Sequence, residues 1–73
     1  MKELNVRYGV VNVEERTKYE KENQVSFGYE HLGRSEEKAI RICRKKNNPN
    51  WIVEKIYDTY KAKNNRVEIY RSW

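Results

Sequence analysis

Cys43 and His31 are the one thiol and the one imidazole in a chain of 73 residues, and they limit the chemistry its side chains can perform. A metal site needs several Cys, His, Asp or Glu ligands at workable spacing. One Cys and one His on different elements do not supply it. As nucleophile and base the two would have to meet in space. Cys43 instead falls on the apolar face of a helix, where a buried thiol is inert. His31 is placed at the end of a strand, at the surface. No glycine-rich loop offers a phosphate cradle. The acids Glu14-Glu15 and Glu36-Glu37 are adjacent in sequence, and neither pair suggests a shared acid–base site. No catalytic residue, metal or cofactor is therefore expected. A metal-free nuclease can work with Tyr, Arg, Lys and His alone, so a small RNase or toxin stands as a distant third reading.

Binding is the better prospect, and two surfaces could serve it. The first is a basic arc. Residues 34–46 carry six bases (Arg34, Lys38, Arg41, Arg44, Lys45 and Lys46) against Glu36 and Glu37, whereas residues 1–33 are slightly acidic. Most of the net charge of +5 thus sits on one short stretch. Arg41, Arg44 and Lys45, with Lys38 and Arg34, could meet phosphates or an acidic protein face. The plainer reading is a solvated helix face. No helix-turn-helix pattern accompanies the arc, which argues against reading of a major groove. The second surface is aromatic. Trp51, Tyr57 and Tyr70 are expected on the outer side of a C-terminal hairpin, among charges. Rings among Lys and Arg suit base stacking and suit a protein interface equally, including a homodimer. The plainer reading there is that the rings merely cover the sheet.

The elements that must position these residues are legible to different degrees. Ser35 is a good helix N-cap, with Glu36 and Glu37 in the first turn where the dipole favours negative charge. Arg44, Lys45 and Lys46 occupy the opposite end, and Asn47-Asn48-Pro49 stop the helix. Ala39, Ile40, Ile42 and Cys43 share an arc of about 160°, and Lys38, Arg41, Arg44 and Lys45 lie opposite. The spacing predicts a two-faced helix over about 35–47. Leu4, Val6, Tyr8 and Val10 alternate as a strand does, and the alternation shifts at Val11 and Val13, which suggests a bulge or bend at Gly9. Residues 14–23 are polar and should hold a turn. Residues 24–30 read as a second strand, with Val25, Phe27 and Tyr29 on one side, hairpinned to the first. Residues 51–62 fit a helix or a strand. A two-residue turn at Asn64-Asn65 would favour the strand by setting Lys61 opposite Glu68, Tyr60 opposite Ile69, Asp58 opposite Arg71 and Ile56 opposite Trp73. That register puts Ile56, Tyr60, Val67, Ile69 and Trp73 on one face. The whole is a single α+β domain, ββαββ, with antiparallel sheet packed on one amphipathic helix. One helix can cover only one sheet face, which is why the aromatic face is expected to be open.

The single cysteine, the lack of an apolar leader in MKELNVRYGVV and the absence of any run of roughly 18 apolar residues lead to the expectation of a cytoplasmic protein, away from the membrane. The stretches Ser35-Glu36-Glu37-Lys38-Ala39-Ile40 and Asn47-Asn48-Pro49-Asn50-Trp51-Ile52-Val53, with the hairpin to Trp73 and a wealth of Lys, Asn, Glu, Ile and Tyr, resemble small orphan accessory proteins of phages and mobile elements from AT-rich bacteria. The resemblance covers the C-terminal half and points to no single family. It implies a protein that binds and blocks a host enzyme, CRISPR and other defence machinery among them. Many such inhibitors are acidic mimics of nucleic acid, a mechanism that a basic chain does not suit. The leading expectation is a non-enzymatic protein that binds a host protein. The alternative is an RNA- or single-strand-binding module.

Overall fold

The computed structural model describes residues 4–23 and 29–72, leaving aside the side chains of 19–23. Six elements follow one another: β1 (Asn5–Asn12), α1 (Val13–Asn23), β2 (His31–Gly33), α2 (Glu36–Lys46), β3 (Trp51–Asp58) and β4 (Asn65–Arg71). The strands form one antiparallel sheet in the order β2-β1-β3-β4. The fold is α+β, with two strands before the amphipathic helix and two after it.

The first correction is α1. The polar stretch expected to turn is a helix, and its start is set by a cap. Asn12 Oδ1 accepts from the Glu15 backbone N–H at 3.0 Å, with Glu14 and Glu15 in the first turn. The second concerns the strand expected over 24–30. Residues 24–28 lie outside the described residues, Tyr29 and Glu30 are not in a strand, and the strand that pairs with β1 ahead of α2 is His31–Gly33. His31 is consequently not a surface residue. It lies opposite Val10 and is half-buried, and its Nε2 is buried with no hydrogen-bond partner among the described residues.

β1 pairs with β3 without interruption from Asn5↔Asp58 to Asn12↔Trp51, so no bulge interrupts β1 at Gly9. The alternation shifts because both faces of β1 are buried: Val10 and Val11, neighbours on opposite faces, are each 0% exposed. Gly9 has a different task. The ring of Tyr29 lies against it, so that a Cβ there would stand 2.6 Å from Tyr29 Cδ1.

The β3–β4 hairpin was expected to turn tightly at Asn64-Asn65; it does not. A loop spans residues 59–64, in which Thr59 N–H donates to the Ala62 carbonyl at 2.7 Å and Asn64 N–H donates to Asp58 Oδ1 at 2.8 Å. Asn64 takes the left-handed conformation, φ 56°. The register becomes Tyr57↔Asn65, Ile56↔Arg66, Lys55↔Val67 and Glu54↔Glu68, then Val53↔Tyr70 after an irregularity that leaves Ile69 unmatched. None of the expected pairs survives; Ile56 faces Arg66, and Val67 lies on the opposite face from Ile56. Trp73 is outside the described residues. The like-charged Glu54 and Glu68 tolerate their pairing because each turns to a base: Arg16 for Glu54 at 2.7 Å, Arg71 for Glu68 at 2.8 Å.

Against one sheet face α2 buries Ala39 and Cys43 on Val10 and Val53, with Tyr8, Ile40, Ile42, Trp51 and Tyr70 packed around them. Each valine so buried contributes about 1.5–3 kcal/mol. The other face carries Val11, Ile52, Ile56 and Glu54, all buried, and it is the side on which α1 and Tyr29 lie. Two layers thus flank the sheet, where one had been expected. Among the described residues, no helix is long and apolar enough to cross a membrane.

Cys43 is fully buried, as its position on the apolar helix face requires. Burial pushes its thiol above the usual range, against smaller lowering effects of a Ser72 backbone hydrogen bond and the Lys46 charge. Native protein is therefore expected to resist iodoacetamide at neutral pH and to take one label per chain once denatured. Rapid stoichiometric labelling without loss of circular dichroism would contradict this placement.

Candidate functional site

The basic arc is held by a helix capped at both ends. Ser35 Oγ accepts from Lys38 N–H at 3.1 Å, and Asn47, in the left-handed conformation at φ 49°, donates its N–H to the Arg44 carbonyl. These caps satisfy terminal backbone groups that would otherwise be unpaired. The rotation of the helix is set by its apolar face. With Ala39 and Cys43 turned to the sheet, Lys38, Arg41, Arg44 and Lys45 stand exposed on the far side, and Arg34 is exposed just ahead of the cap. From Arg34 to Lys45 the bases cover a stripe on the order of 15 Å long.

That stripe is not purely positive. Arg41 Nη2 lies 3.4 Å from Glu37 Oε1, one helical turn back. Both side chains are exposed, so the pair contributes at most about 1 kcal/mol and is screened by salt. Its effect is on pattern: acid at the start of the helix, base from Arg41 onward. A cleft of about 530 Å³ runs along this side, lined among the described residues by Glu36, Glu37, Ile40, Arg41 and Arg44. Ile40 is half-buried and gives the cleft an apolar component between charges of both signs.

The aromatic residues are elsewhere. Trp51 and Tyr70 lie on the sheet face that α2 covers, where they pack against the core. The Lys46 ammonium sits 4.4 Å from the Trp51 ring centroid, and Lys46 also pairs with Glu30. Tyr57 follows Trp51 and Val53 in the same alternation along β3, half-buried, with Lys55 Nζ at 5.3 Å from its ring. The open face showing Trp51, Tyr57 and Tyr70 does not exist. The three rings do share one face of the hairpin, with Tyr70 opposite Val53, but it is the face on which α2 packs. The seven-residue error in register at Arg66 falls to six at Tyr70, past the extra residue Ile69, so Tyr70 keeps the face expected for it beside Trp51 and Tyr57.

Of the eight residues singled out, Arg34, Lys38, Arg41, Arg44 and Lys45 are exposed together, and the three rings are withdrawn from them. A group on the opposite sheet face escaped notice altogether: Arg7, Arg66, Tyr29 and Asn64, which line one cavity. Tyr29 donates to Glu54 Oε1 at 2.7 Å. Burial raises its phenol above the usual range; the Arg66 hydrogen bond opposes this and Glu54 adds to it. Strand pairing sets Arg7 and Arg66 in one row across Ile56. Comparison with protein-family models, with curated proteins and with solved structures gives no match to this chain.

Proposed function

We propose that this chain is a non-enzymatic binding protein of phage or mobile-element origin that docks on a host protein through the outer face of α2. On this reading it belongs with inhibitors of host defence systems such as CRISPR and works in the host cytoplasm. The observation that supports the docking face is the cleft along α2. There Arg41 and Arg44 flank the half-buried Ile40, with Glu36 and Glu37 at the same rim. An apolar centre with charged edges of both signs suits a protein surface, and Arg is among the residues that dominate interface energies. A phosphate backbone suits it less. The two glutamates would repel phosphates at one end, and the rings of Trp51, Tyr57 and Tyr70 do not stand beside the exposed bases of the helix.

The partner implied is a protein whose surface sets acidic side chains against Arg41, Arg44 and Lys45. Charge reversal through Arg41→Glu with Arg44→Glu should leave circular dichroism unchanged, since both side chains are exposed. It should weaken capture of the host protein on the order of a hundredfold, because like charges then face each other. Capture undiminished by the double reversal would refute α2 as the contact surface.

A further inference from the structure

On the sheet face turned away from α2, Arg7, Ile56 and Arg66 form one row across β1, β3 and β4. A cavity of about 240 Å³ opens beside this row, lined among the described residues by Arg7, Tyr29, Leu32, Ile56, Asn64 and Arg66. Two guanidinium groups and no carboxylate stand in that lining. The acids of the neighbouring strands are already engaged: Glu54 with Arg16, Glu68 with Arg71, and Asp58 with the Asn64 N–H. Arg66 shares this lining with Tyr29, and its charge acts to lower the Tyr29 phenol against the effect of burial. Arg7 and Arg66 are separated by two strand spacings, about 10 Å between backbones, so their forks can approach one ligand from both sides of Ile56. The planar fork of arginine matches a phosphate in a bidentate way.

The positive charge continues past the cavity. The loop that supplies Asn64 also carries Lys61 and Lys63, both exposed, and Tyr60, whose relative exposure of 74% is high for so large a ring. The loop is tied internally, with Thr59 Oγ1 accepting from Ala62 N–H at 3.0 Å and from Lys61 N–H at 3.3 Å. An ordered loop presenting an exposed ring followed by two lysines, next to a doubly basic cavity, has the parts of a strand-binding surface: phosphate contacts and a stacking platform.

We infer that this end of the sheet binds phosphate groups of single-stranded nucleic acid, with Arg7 and Arg66 on the phosphates and Tyr60 stacking on a base. A free nucleotide has the same phosphate chemistry. The extension of charge to Lys61 and Lys63, beyond the cavity, favours the polymer. The surface is distinct from the α2 face, so either assignment can fail without the other.

Fluorescence anisotropy with labelled oligo-dT and oligo-U of about 12 nucleotides tests the inference, with AMP and inorganic phosphate as competitors. Binding should weaken steeply with salt. Arg7→Gln, which touches no bond of the fold among the described residues, should weaken binding about tenfold and shallow the log–log salt slope by about 0.7. Tyr60→Ala should weaken it about tenfold. Arg41→Glu with Arg44→Glu should leave it unchanged. The inference is overturned if neither oligonucleotide binds at low salt, or if the α2 reversal abolishes binding while Arg7→Gln does not. AMP binding as tightly as the oligomers would overturn the assignment to a strand.

Discussion

Gly9→Ala is expected to destabilise the protein by about 1–3 kcal/mol, although alanine is the better strand residue. Two effects compete. Relief of glycine's backbone entropy favours the substitution by roughly 0.5–1 kcal/mol. Against this, the new Cβ would lie 2.6, 2.9 and 3.0 Å from Cδ1, Cγ and Cε1 of Tyr29. A ring face cannot bend aside as the tip of a lysine can, so the whole side chain must lift. Lifting it removes the 2.7 Å bond from the Tyr29 hydroxyl to Glu54. A hydrogen bond to a charged group is worth about 1.5–3 kcal/mol. The clash therefore wins. The loss is a large share of the roughly 4–11 kcal/mol that a domain of 73 residues holds. Thermal unfolding should report it as a drop of about 4–8 °C for each kcal/mol. The decisive comparison is in a Tyr29→Ala background, where the same Gly9→Ala change should be neutral or stabilising. An unchanged penalty there would mean that the Tyr29 ring is not what the glycine accommodates.

Arg16→Met is expected to cost about 3 kcal/mol, far more than a typical ion pair at a protein surface. Glu54 is 7% exposed in mid-sheet, and its Oε1 accepts from both Arg16 Nη1 and the Tyr29 hydroxyl. Removing the guanidinium leaves a buried carboxylate with a single neutral donor among these two. The pair joins α1 to β3, so its loss also loosens the helix from the sheet. The side chains of Arg16 and Glu54 are 20% and 10% exposed, which places the cost at the lower end of the range for buried pairs. Adding Glu54→Gln to Arg16→Met should recover most of the loss, because the amide removes the charge and keeps an acceptor for Tyr29. Urea unfolding of the four proteins measures the cycle. A change below about 0.5 kcal/mol for Arg16→Met would show that water already solvates the pair.

What was legible in the sequence was local. Ser35, Glu36, Glu37 and Asn47 mark the ends of α2 by chemistry that acts within one turn, and the helix begins and ends within a residue of expectation. α1 was missed because its stretch, Val-Glu-Glu-Arg-Thr-Lys-Tyr-Glu-Lys-Glu-Asn, has no apolar stripe to give a helical period. A signal was nonetheless present: Asn12 followed three residues later by Glu15, the pattern of an N-terminal cap. The hairpin failed for a different reason. Charge pairing across an assumed tight turn looked favourable, but Thr59, Asp58 and Asn65 offered side-chain bonds that stabilise a longer loop. The extra residue Ile69 in β4 left Tyr70 on the face of Trp51 and Tyr57, as expected; the rings were placed outward because the helix was assigned to the other face of the sheet, whereas α2 packs on theirs. The Arg7–Arg66 row was out of reach, since it depends on the pairing of β1 with β3 across α1, β2 and α2. For the site, the exposed bases of α2 could be read from helical spacing alone, whereas the burial of the rings depended on which sheet face the helix covers.

Lysine footprinting tests the α2 assignment most directly. Native protein is reductively methylated alone and in complex with the captured host protein, and modification at each lysine is read by mass spectrometry. Lys38 and Lys45, exposed on α2, should become protected in the complex, while Lys61 and Lys63 on the β3–β4 loop keep their reactivity. Protection confined to Lys61 and Lys63, or Lys38 and Lys45 modified equally in both states, would contradict docking through α2.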